Sequence, residues 1–118
     1  MDVLHSRIGR IDLLQLRGRL DASQVDALSA QVMPLADAAG HQIVLSLAEL
    51  GSITSIGLRL ILELARRSRE RGGALALCEL QGFVLEMFEI SGFLHILTVE
   101  PTRAAAIERV SMDSGQGG

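Results

Sequence analysis

Apolar residues in this chain fall either into short continuous runs or into positions three and four apart, the two patterns that separate strands from helices. Val3 to Gly9 and Ile11 to Arg17 read as two short strands in close succession, stopped by Gly18. Ser23-Gln24-Val25-Asp26 resembles a helix start, with a hydroxyl cap and an acid three residues on. Val25, Leu28, Val32, Leu35 and Ala39 then continue at helical spacing to Gly40, across a Pro34 that should kink the run. Ile43 to Leu47 is a compact apolar run of the kind that fills a central strand buried on both faces. A short loop containing Gly51, Ser52 and Thr54 leads into a helix over Ser55 to Arg71, ended by Gly72-Gly73. Ala74 to Cys78 reads as the next buried strand, and Phe83 to Phe88 as a helix closed near Gly92. Leu94 to Val99 is a last strand, and Thr102 caps a final helix to about Val110.

The order β-β-α-β-α-β-α-β-α predicts an α/β fold with a mixed, mostly parallel sheet packed against helices, the opening hairpin supplying an antiparallel edge. Residues 1–110 form one expected domain, and the polar, Gly-rich stretch 111–118 an expected flexible tail.

Composition narrows the function. With 118 residues and 48% apolar content the chain has one well-filled core. A net charge of −3, three Phe and no Trp or Tyr argue against nucleic-acid binding. All 11 basic residues are Arg, which removes lysine-dependent phosphate loops and Schiff-base chemistry. One cysteine, no basic-then-apolar leader at Met1-Asp2-Val3 and no apolar run of spanning length predict a cytoplasmic protein that does not insert into membranes.

Candidate chemistry is sparse. His5, His41 and His95 lie far apart in the sequence, Cys78 is the only thiol, and no glycine pattern marks a nucleotide loop. No metal, no cofactor and no catalytic residue is expected; the chain reads as a binding module and not as an enzyme. What stands out is Ser52 to Arg59, which joins a buried strand to the long helix. Ser55 falls where first-turn amides are free and the helix dipole is positive, so it suits either an N-cap or a phosphorylated serine. The apolar arc of this helix is broad: Ile56 and Leu60 carry it toward the polar side that bears Arg59, as in a helix buried more deeply than average or lying against a neighbour, or as a strip for docking a partner would. From Arg59 to Arg71 five Arg and two Glu give a local +3, four of the arginines sitting where the dipole favours cations.

Taken together, Gly18-Arg19-Leu20-Asp21, Ile43 to Leu47, Ile53-Thr54-Ser55-Ile56-Gly57-Leu58, Gly72-Gly73-Ala74 and Phe88-Glu89-Ile90-Ser91-Gly92-Phe93 resemble a STAS domain, most closely the bacterial anti-sigma factor antagonists. The resemblance covers nearly all of the chain except the tail. It implies partner switching: the unphosphorylated antagonist binds an anti-sigma factor that is a serine kinase, phosphorylation releases it, and a serine phosphatase resets it. The position matching the phosphorylated serine is Ser55, with Thr54 an alternative acceptor, and Asp21 matches an acidic residue of the neighbouring loop. The implied partner-binding set is Asp21, Thr54, Ser55, Ile56, Arg59 and Leu60. Two positions depart from the family's pattern: Thr54 and Ser46 stand where acids are usual. The resemblance admits, as an alternative, a subunit associated with an ABC-type lipid transporter, without a phosphorylation switch.

Overall fold

Ile43, Val44 and Leu45 are all fully buried, so this stretch of its strand has no solvent face, as the compact apolar run predicts. The computed structural model describes residues 1–113. Its elements are β1 (Asp2–Ile8), β2 (Ile11–Leu20), α1 (Val25–Ala36), β3 (Gln42–Ile53), α2 (Ser55–Glu70), β4 (Ala74–Cys78), α3 (Gly82–Ser91), a short 3-10 turn (Phe93–His95), β5 (Thr98–Glu100) and α4 (Arg103–Asp113). The five strands lie side by side in chain order, β1 antiparallel to β2 and every later pair parallel. This is the mixed α/β sheet expected from the sequence.

Alternation along the strands divides the core in two. Leu14, Leu16, Ile43, Leu45, Leu75 and Leu77 face one side, where they pack on Leu28 and Val32 of α1, Ile61 and Leu64 of α2, and Val84 and Phe88 of α3. Ile11, Leu13, Val44, Ala74, Ala76 and Cys78 face the other, closed by Ala106 and Val110 of α4. Three helices therefore cover one face and a single helix the other.

Several boundaries differ from the sequence reading. Gly18 does not end β2; at φ 99° it sits in a register irregularity that lets β2 continue beside β3 to the pair Leu20–Ile53. β3 runs on through Gly51 for the same reason. Gly92, at φ 78°, closes α3 as expected, but the chain then turns through bonds from the Ile96 and Leu97 amides to the Phe93 carbonyl, so β5 has three residues in place of six. Ser23 does not cap α1: its amide and hydroxyl both bond to Asp21 Oδ1, at 2.9 and 2.6 Å, and Gln24 occupies the cap position. α1 holds Pro34 and ends two residues beyond it. α4 runs to Asp113 and so includes Ser111, Met112 and Asp113 of the expected tail; residues 114–118 lie outside the described part.

Two polar clusters tie strands together. The histidines are not all apart: buried Asp12 gathers His5 and His41, with His5 Nε2 2.7 Å from Oδ1 and His41 Nε2 2.7 Å from Oδ2. The second contact is in ion-pair range but not aligned as a hydrogen bond, and Oδ2 has no hydrogen-bond partner. In the other cluster Ser46 donates to Glu79 Oε1 at 2.6 Å, and Arg103 reaches both Glu79 and Gln15. Burial, then Glu79, pushes the Cys78 thiol up to about 12, which keeps it a protonated core group. The Ser46 hydrogen bond, then Arg103, holds the Glu79 carboxyl below its ordinary 4.5. A depressed folded-state value means stability that is present above pH 4.5 and lost as pH falls through the folded value. Glu79→Gln should therefore be less stable than the parent by about 1 kcal/mol at neutral pH. In urea unfolding at a series of pH values the difference should vanish on the acid side.

Candidate functional site

Because β4 stops at Cys78 while β2 and β3 continue to Leu20 and Ile53, these two strands project past the rest of the sheet. α2 starts at their tip. Thr54, in extended conformation, holds the cap position, and its amide donates to the Leu20 carbonyl at 3.0 Å while its hydroxyl donates to the same oxygen at 3.4 Å. The first helical bond runs from the Leu58 amide to the Thr54 carbonyl. Neither Thr54 nor Ser55 makes a side-chain cap: Ser55 is the first helical residue, not the N-cap that sequence alone allows. Ser55 is exposed, with its hydroxyl on the turn whose amides point outward and whose dipole end is positive.

Gly57 makes this placement possible. A Cβ there would lie 2.7 Å from the Leu20 carbonyl oxygen, 2.9 Å from Leu20 Cγ and 3.0 Å from Ile53 Cγ1. The first turn of α2 thus rests directly on the ends of both projecting strands, and Thr54, Ser55 and Ile56 are left facing out. Asp21 follows Leu20 and so belongs to the same tip. Its carboxyl is held below the usual carboxylate range by the Ser23 hydroxyl, then the Ser23 amide, with Arg19 Nε 3.9 Å from Oδ2.

Beside the serine runs a shallow groove of about 240 Å³ between α1 and α2, lined by Val25, Asp26 and Ser29 of α1 and by Ile56, Arg59, Leu60 and Glu63 of α2. Ile56 is 45% exposed and Leu60 partly so, an unfilled apolar strip flanked by charge. Arg59 has no hydrogen-bond or ion-pair partner among the described residues. The structure therefore brings Thr54, Ser55, Ile56, Arg59 and Leu60 onto the opening turns of one helix, with Asp21 in the adjoining loop. The contribution of α1 and of Glu63 is not apparent in the sequence, because only tertiary packing decides which helix lies beside α2. Its one trace is Val25, an apolar residue at the helix start that the core leaves partly exposed. Among the described residues no cluster of three or more His, Cys, Asp or Glu is arranged to hold a metal ion, and no helix is long and apolar enough to cross a membrane.

Residues 5–106 match the STAS domain family model. Over 91 residues the chain is 41% identical to BtrV of Bordetella bronchiseptica, whose name places it among the anti-sigma factor antagonists; the match covers 77% of this chain and 78% of that one. The fold superposes on an anti-sigma factor antagonist of Thermotoga maritima with a TM-score of 0.84 at 20% identity, covering 92% of this chain and 94% of the other. It also superposes on the Bacillus cell-fate determinant SpoIIAA, solved in its phosphorylated form, with a TM-score of 0.70 at 23% identity over 92% and 99% of the two chains.

Proposed function

The chain belongs to the STAS domain family, and on that premise we propose that it is a cytoplasmic, non-catalytic anti-sigma factor antagonist that works by partner switching. Unphosphorylated, it docks an anti-sigma factor serine kinase along the α1–α2 groove; phosphorylated on Ser55, it lets go, and a serine phosphatase resets it. The observation that carries this reading is the exposed Ser55 on the first turn of α2, immediately beside an unfilled apolar groove.

The physics of release follows from that placement. Docking desolvates the groove, so Ile56 and Leu60 gain from contact while every nearby charge must be paired. A phosphate on Ser55 adds about −1.5 to −2 charge at neutral pH. The free amides of the α2 N-terminus and the unpaired Arg59, one turn along the helix, stabilise that charge in the free protein. Asp21, Asp26 and Glu63 already make the surroundings acidic, so a kinase surface shaped to the neutral serine loses more than it keeps. Thr54 in place of an acid leaves the serine's immediate neighbour uncharged, so the charge step on phosphorylation is taken from a less negative starting point. Thr54 itself bonds to the Leu20 carbonyl, which favours Ser55 as the acceptor.

Affinity capture of the tagged chain from a lysate of the organism that makes it tests the reading. Mass spectrometry should find a serine-kinase anti-sigma factor bound, and phosphate on Ser55 in a fraction of the chain. An ABC permease and ATPase, with Ser55 unmodified, would instead make the chain a transporter subunit.

A further inference from the structure

On the flank of α2 opposite the Ser55 groove, Leu62, Ala65, Arg66 and Arg69 face Ile96 and Leu97 across two adjoining hollows of about 280 and 370 Å³. The larger hollow opens where β5 pairs with β4 only at Ala76–Cys78, which leaves Ala74 and Leu75 without a strand neighbour on that side among the described residues. Ile96 is 52% exposed at their rim. Arg69 has no ion-pair partner among the described residues, and Arg66 has only the exposed Glu63 of its own helix, at 2.9 Å. The lining combines these apolar groups with Arg66 and Arg69, and its one carboxylate, Asp113, is already paired with Arg109 at 3.0 Å.

The helix that precedes Ile96 in the chain has the opposite character. In α3, Phe83, Met87 and Ile90 recur at i, i+4 and i+7, one face of the helix, while Val84 and Phe88 supply its buried side. Ile90 is 81% exposed, more than any other large hydrophobic residue described. Glu86 and Glu89 flank it, and neither carboxylate has an ion-pair or hydrogen-bond partner among the described residues. The stripe is apolar and acidic, and only the turn Phe93–His95 separates its end from Ile96.

We propose that a second copy of this chain covers this face, the acidic α3 stripe of each copy seated on the basic α2–Ile96 hollow of the other about a two-fold axis. Opposite charges on adjoining patches of one surface are what a self-complementary, closed interface requires, since each contact is then made twice. Glu86 and Glu89 supply the countercharge that Arg69 lacks within one copy, and Ile90 and Ile96 form the apolar centre. The α1–α2 groove and Ser55 lie on the other flank of α2 and stay clear, so the proposal stands apart from the assignment of Ser55.

Sedimentation velocity of the full chain over a concentration series reaching the millimolar range is the test. The parent should form a dimer, and Arg69→Glu or Glu89→Arg alone should raise its dissociation constant about tenfold or more. The double variant, with the charges exchanged, should recover most of the loss, a recovery that damage to the fold would not produce. Ile56→Glu, in the other groove, should leave the dimer unchanged. A parent that stays monomeric throughout, or a dimer that ignores both charge reversals, overturns the proposal. So does a dimer broken by Ile56→Glu, or a monomer whose Arg69 flank is covered only by an added acidic protein.

Discussion

Gly57→Ala is expected to destabilise the protein by about 1–3 kcal/mol in urea unfolding, against the usual sign for this substitution in a helix. Alanine ordinarily gains about 1 kcal/mol over glycine at a helical position. Here the new methyl would meet the Leu20 carbonyl oxygen at 2.7 Å, and backbone cannot step aside as a flexible side chain does. That same oxygen accepts the Thr54 amide, so relief comes only by lifting the first turn of α2 off the strand tips. The lift displaces Ser55 and Ile56, so partner binding should fall together with stability. Gly51→Ala is the matched control. Its Cβ would sit 3.5 Å from the Gly18 carbonyl oxygen, an ordinary contact, and its stability should stay within about 0.5 kcal/mol of the parent.

The same local geometry explains why some of the site was legible in the sequence and some was not. Ile43 to Leu47 announces a doubly buried strand because no polar residue but Ser46 interrupts it, and Ser46 is buried only with Glu79 to accept its hydroxyl. Gly72 and Gly92 punctuate the chain correctly, since both adopt positive φ at helix ends. Gly18 also adopts positive φ, yet within a strand, where the same residue type bends a ladder without ending it. Nothing local separates the two uses. The meeting of His5 with His41 on Asp12 depends on strand register across 36 residues, which spacing alone does not reveal. Ser55 and Thr54 are both good cap residues by type. Only the bond from Thr54 to Leu20 shows which one holds the cap position and which one is free.

That freedom sets the second large effect. Ser55→Asp should weaken binding to the serine-kinase partner at least about tenfold, which is about 1.4 kcal/mol, while leaving unfolding cooperative and its midpoint near that of the parent. A carboxylate at the first helical position is welcome to the α2 dipole, so the substitution costs the free protein nothing and acts in the complex. Ser55→Ala should do the reverse. With no cap hydrogen bond to lose, its stability should change by less than about 0.5 kcal/mol, and it should hold the kinase whether or not ATP is present. Aspartate carries one negative charge and lacks the third oxygen of a phosphate, so its effect sets a lower bound on that of the authentic modification.

Calorimetric titration of the kinase with the chain, once with Ser55 free and once with Ser55 phosphorylated, tests the switch most directly. The account predicts tight binding by the free form and an affinity at least about tenfold weaker for the phosphorylated one. Equal affinities would contradict it, leaving Ser55 a surface residue beside the groove and the partner's release to be sought elsewhere.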